Sequence, residues 1–284
     1  PARRQRPPAG AASKRVSRRH RRRTPAAAAR NRLRVDAATH AGQPARGDEP
    51  PGVPTRWVKF VAALLLLPWV WVYAQAFFSV FTESALHHAF WLTEEFWFFA
   101  LGVVLWLIVF FGLPRPLVVY VFGHELTHAL WVWLMGGRVH NFRVARDGGQ
   151  IVTDTSNFWI ALAPYFFPVY AIILLAVYGL AGMIYDLGAY QRLLFALVGA
   201  AWGFHATFTL WMIPLGQSDL EEHGYFFSLV VIFTLNLAVL TVLFVAACPQ
   251  ATWPSFGHAL LEHAIAFSSA AVDLLEHSIG RILP

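Results

Sequence analysis

Phe122-Gly123-His124-Glu125-Leu126-Thr127-His128-Ala129-Leu130 sits inside an apolar run from Leu117 to Met135. On a helix, His124 and His128 are one turn apart and leave the same face. Two imidazoles so placed can reach one Zn²⁺ at about 2.0–2.1 Å, with Glu125 beside the metal where a general base is needed. Shuffling the same residues would produce this pattern about 0.016 times per chain, so chance does not account for it. Ionisable groups at membrane depth are costly and mark function, which favours a site over two histidines satisfied by neighbours in a helix bundle.

The surrounding composition is 57% hydrophobic with mean hydropathy +0.50 and 15% aromatic residues, including 12 Trp and 24 Phe. Soluble chains average about 45–50% apolar, and aromatics in this number suit lipid-facing helices and interfacial belts. The expected class is an all-α polytopic membrane protein. Its expected location is integral and multi-pass, in a bacterial cytoplasmic membrane. A lone cysteine, Cys248, excludes an intramolecular disulfide, a CxxC motif and a four-cysteine zinc site. Any metal must be held by His and carboxylates.

The net charge of +6 sums two unlike parts. Residues 1–59 hold 16 of the 22 Lys+Arg and 3 of the 16 Asp+Glu, a balance of +13; the remainder balances at −7. Residues 1–55 are Ala, Arg and Pro with few large apolar side chains, and so are expected to be a disordered tail resting on anionic headgroups. The tail lacks the interleaved aromatics of a nucleic-acid arm, and no nucleic-acid partner is expected.

Six apolar segments of roughly membrane-spanning length follow: Val58–Phe81, Phe96–Leu113, Leu117–Met135, Phe158–Gly182, Leu193–Pro214 and Tyr225–Ala247. With their connections they define a membrane domain over residues 56–247. Between the third and fourth, Arg138 to Val144 and Gln150 to Thr153 alternate in polarity around Asp147-Gly148-Gly149, which predicts a β-hairpin. Its exposed edge offers an extended peptide a place to pair. Residues 248–284 form a C-terminal region whose apolar positions Leu260, Ala264, Phe267, Ala271, Leu275, Ile279 and Ile282 predict an amphipathic helix on the bilayer or on the bundle.

A catalytic zinc takes three protein ligands and leaves one position for water. The third ligand is sought on another element at membrane depth. Asp219 is the leading candidate, because Pro214 and Gly216 break the fifth segment just before it and give a carboxylate an inward-facing position. Glu221, Glu222 and His223 remain as alternatives. His205 lies about two or more turns before the break and suits a hydrogen-bonding role better than ligation.

These features together resemble the site-2 protease family of intramembrane zinc metallopeptidases. His124, Glu125 and His128 match its HExxH motif; Gly136-Gly137-Arg138-Val139 and the hairpin resemble its second feature. Pro214 and Asp219 keep the spacing of its NxxPxxxLDG break, while Trp211, Ser218 and Leu220 depart from it. The resemblance covers roughly residues 117–224. It implies zinc on His124, His128 and Asp219, with Glu125 catalytic, and hydrolysis of peptide bonds in or near transmembrane segments of membrane-protein substrates. It also implies a hairpin near the cytosolic face, whereas the Arg-rich tail and three crossings place the hairpin outside. Two other readings stand beside it: a membrane zinc metallopeptidase with a Glu ligand acting near the membrane surface, and a non-enzymatic metal-binding membrane protein.

Overall fold

The computed structural model describes residues 55–86, 90–145, 148–248 and 250–282. The expected tail over residues 1–55 lies almost wholly outside them, as do His87, His88 and Asp147. Helices dominate. In order they are α1 (Thr55–Leu86), α2 (Glu94–Gly112), α3 (Leu117–Leu134), α4 (Phe158–Phe166), α5 (Val169–Gly182), α6 (Gln191–Met212), α7 (Ser218–His223), α8 (Tyr225–Ala247) and α9 (Trp253–Ile282). Strands β1 (Val139–Ala145) and β2 (Gly148–Thr153) separate α3 from α4 as one antiparallel pair, with Phe142 opposite Ile151 and Val144 opposite Gly149.

Five stretches are long and apolar enough to cross a membrane: α1, α2, α3, Gly188–Leu215 (which contains α6) and α8. The fourth apolar segment, expected as a single run from Phe158 to Gly182, is broken instead. α4 and α5 meet at 77° across Phe167-Pro168 and make a sixth span only if the bent pair counts as one. Pro168 has no N–H and restricts the residue before it, so the chain cannot continue straight. Outward-facing residues such as Leu65, Phe111, Leu180 and Leu210 are more than half exposed, the pattern of helices whose outer surface meets lipid.

Apolar side chains gain little by leaving lipid for another helix, so close backbone approach has to hold a membrane bundle together. α2 and α6 form the most extensive helix pair, and glycine makes it. A Cβ on Gly199 would collide with the Phe99 carbonyl, and one on Gly102 with the Ala196 carbonyl. Trp106 Nε1 donates to Thr207 Oγ1 at 2.8 Å across the same seam. At its outer end, Arg192 grips Glu94 with two hydrogen bonds of 2.7 and 3.0 Å. α1 packs on α8 and α9, and α4 fits between α3 and α8. The start of α2 is capped by Thr93, which accepts from Phe96 N, and Glu94 and Glu95 in the first turn complement the helix dipole.

Gly199→Val should force α2 and α6 apart, at a cost of about 1–3 kcal/mol. The midpoint of thermal unfolding in detergent should fall accordingly, whereas Gly182→Val, where nothing lies within reach of a Cβ, should leave it unchanged.

Candidate metal centre

α3 starts immediately after Pro116 and carries His124, Glu125 and His128 around its middle, where Glu125 and His128 are each only 8% exposed. Asp219 arrives from the other side of the molecule. After α6 the chain turns through Pro214 and Gly216, whose φ of 75° is left-handed and suits a residue without Cβ. The short α7 follows and ends at Gly224, φ 90°. Leu220 pins α7 in place: it is fully buried among Leu162, Tyr165, Val231 and Ile232, and Ser228 Oγ donates to its carbonyl. The preceding residue, Asp219, then faces the histidines.

His124, His128 and Asp219 form a group that could hold a metal ion, with their ligand atoms all within 4.8 Å of one another. The three edges are His124 Nε2 to His128 Nε2, 3.1 Å; His124 Nε2 to Asp219 Oδ2, 3.3 Å; and His128 Nε2 to Asp219 Oδ2, 3.7 Å. A tetrahedral ion with bonds of about 2.0–2.1 Å separates its ligands by about 3.3 Å. The donor set therefore fits such an ion in both size and chemistry.

Hydrogen bonds around the group hold its members in place. His128 Nδ1 donates to the Ile160 carbonyl at 2.8 Å, which leaves Nε2 with a free lone pair. That carbonyl is available for a covalent reason. In α4 the residue four positions on is Pro164, which has no N–H to give it. The interruption in α4 thus orients a ligand on α3. Tyr120 Oη lies 3.3 Å from His124 Nδ1 and stacks on Phe208 of α6. Tyr165 Oη donates to Asp219 Oδ2 at 3.1 Å. Asn236 on α8 completes the support by donating to the Tyr165 carbonyl at 2.8 Å. Partners of this kind fix ring orientation and tune ligand basicity.

The alternatives for third ligand are placed elsewhere. Glu221 and Glu222 are exposed. His223 accepts a 2.7 Å hydrogen bond from Lys59 at Nδ1, and burial first, then the Lys59 ammonium, lower its pKa. His205 stands outside the cluster, and its Nε2 has no partner among the described residues. Tyr120, Tyr165 and the Ile160–Pro164 step were not singled out in the sequence. Only Pro164 left a trace there, as a proline inside an apolar segment, since tyrosines are common in such a chain.

The hairpin closes over this helix. β1 and β2 both pack on α3. Gly149 of β2 comes so close that a Cβ on it would sit 2.6 Å from Glu125 Oε1. At the hairpin's far end, the Arg138 N–H donates to Asp154 Oδ1 at 2.7 Å and holds that exposed carboxyl below its ordinary pKa.

No family model, no curated protein and no solved structure matches this chain.

Pro164→Ala restores an N–H that competes with His128 for the Ile160 carbonyl, so metal affinity should fall by about 10–100-fold. Asp219→Ala should lose the metal outright. Chelator-competition titrations on the purified proteins read both effects.

Proposed function

We propose that the protein is an intramembrane zinc metallopeptidase of the site-2 protease kind, cleaving peptide bonds in or near transmembrane segments of membrane-protein substrates. The observation that carries this reading is the spacing of His124, His128 and Asp219 with Glu125 buried on the same helix. Three protein ligands leave a fourth position for water, the arrangement of catalytic and not structural zinc.

When bound, zinc supplies Lewis acidity and brings the pKa of a water to about 7. Glu125 would be the base that takes a proton from a water attacking the peptide carbonyl. As the C–N bond breaks, Glu125 returns that proton to the leaving amine. His128 is held by Ile160, and Asp219 by Tyr165, so neither reorients during the reaction. A peptide bond inside a helix is shielded by its own hydrogen bonds, so the substrate must be extended before it reacts. The two-stranded sheet supports that step: a substrate strand paired to its open edge is held extended close to the carboxylate that Gly149 touches. The exposure of Glu221 and Glu222 speaks against the reading with a Glu ligand.

Glu125→Gln should keep stoichiometric zinc and lower cleavage of a transmembrane-peptide panel in lipid nanodiscs by about 10²–10⁴-fold. Gly149→Ala, which pushes on Glu125 without touching a ligand, should also retain zinc and lose turnover. Wild-type protein that purifies without zinc, or cleavage that survives Glu125→Gln, would remove the proposal.

A further inference from the structure

α9 is 30 residues long, yet only its beginning is covered. Phe256, Ala259 and Leu260 pack with Ala76, Val80 and Phe244, on α1 and α8. From Leu261 onward nearly every described side chain is exposed. The segment from Leu261 to Ile279 amounts to roughly 28 Å of helix.

Five of its exposed apolar residues fall on one stripe, while Phe267 and Leu274 lie beside it. Leu261, Ile265, Ser268, Val272, Leu275 and Ile279 are spaced four, three, four, three and four apart, the alternation of a heptad seam. The five apolar members are between 52% and 61% exposed. With Leu261 at position d, the a positions are Ile265, Val272 and Ile279, all β-branched, and the d positions are Leu261, Ser268 and Leu275. β-Branched residues at a with Leu at d favour two parallel strands, and Ser268 is the one polar residue in the seam.

The flanking charges choose the partner and its direction. The e positions are Glu262, Ser269 and Glu276, and the g positions are Ala264, Ala271 and Ser278. Parallel pairing sets g against e and brings no like charges together. Antiparallel pairing over the whole seam sets Glu262 of one helix beside Glu276 of the other, which repels. A lipid surface fits poorly. Interfacial helices carry Lys and Arg on their polar face, whereas residues 253–280 contain no Lys or Arg and three acids, Glu262, Asp273 and Glu276.

The geometry points to a second copy of this chain as the partner: α9 pairs with α9 in a parallel two-stranded coiled coil through the 261–279 seam, making the protein a homodimer. The small g residues let the helices approach closely. The site on α3 and α7 takes no part in this contact, so dimerisation stands or falls independently of the zinc reading.

Variants of the full chain with one introduced cysteine test it in native membranes, with wild type, whose own Cys248 is buried, as control. Ile265→Cys and Ile279→Cys should each form a disulfide-linked dimer under mild oxidation, because equal positions face each other across a parallel seam. Ala270→Cys, on the opposite face, should not. Val272→Glu at an exposed position should leave the fold intact and convert the detergent-solubilised dimer to monomer by light scattering. Monomeric wild type in detergent with no cross-link at 265 or 279 in membranes would overturn the inference. So would cross-linking only between Ile265→Cys and Leu275→Cys in mixed samples, the antiparallel outcome, or seam cysteines that stay unlinked and are shielded from a charged maleimide only when lipid is present.

Discussion

Two imidazole Nε2 atoms and a carboxylate oxygen meet inside an apolar bundle, with edges of 3.1 to 3.7 Å. A buried carboxylate needs a compensating partner, which an imidazole proton or a bound cation can supply. The three side chains form a group that could hold a metal ion, and the contacts around them are arranged to orient it. Pro164 leaves the Ile160 carbonyl to His128, and the tyrosines on α3 and α4 and the asparagine on α8 spend hydrogen-bonding capacity on orienting the group. The bundle around them is built from helices whose outer faces remain apolar.

The site also explains irregularities that a bundle of straight helices would lack. Pro164 frees the carbonyl that holds His128. Gly216 and Gly224, both at positive φ, bracket α7 and let a six-residue helix carry Asp219 inward while Leu220 anchors it. Gly149 has no side chain because Glu125 occupies that space. Each irregularity lies within the part of the chain that surrounds the two histidines, while α1 and α8 are long continuous helices.

Much of this was legible in the sequence, for stated reasons. Hydropathy marks the apolar spans, since a helix that crosses a bilayer needs about 20 apolar residues. Alternation around Asp147-Gly148-Gly149 marks the hairpin, and its strands form where the alternation lies. The spacing of His124 and His128 puts both on one face, and the Pro214–Gly216 break directs attention to Asp219, which lies beside them in the fold. The 77° bend at Phe167-Pro168 was not read, because composition is apolar on both sides of it and hydropathy is blind to direction. Tyr120 and Tyr165 were also missed: their roles depend on contacts with residues 4 and 54 positions away, and only the second of those spacings is tertiary. The tail at residues 1–54 is outside what the structure describes.

X-ray absorption at the zinc edge of the purified full chain tests the central claim most directly. The expected spectrum has nitrogen and oxygen neighbours only, at about 2.0–2.1 Å, with the outer-shell scattering of two imidazoles and a coordination number of four. In Asp219→Ala that spectrum should vanish with the metal, while Glu222→Ala should leave it intact. A preparation that binds no zinc, or one whose spectrum is unchanged when Asp219 is removed, would contradict the account.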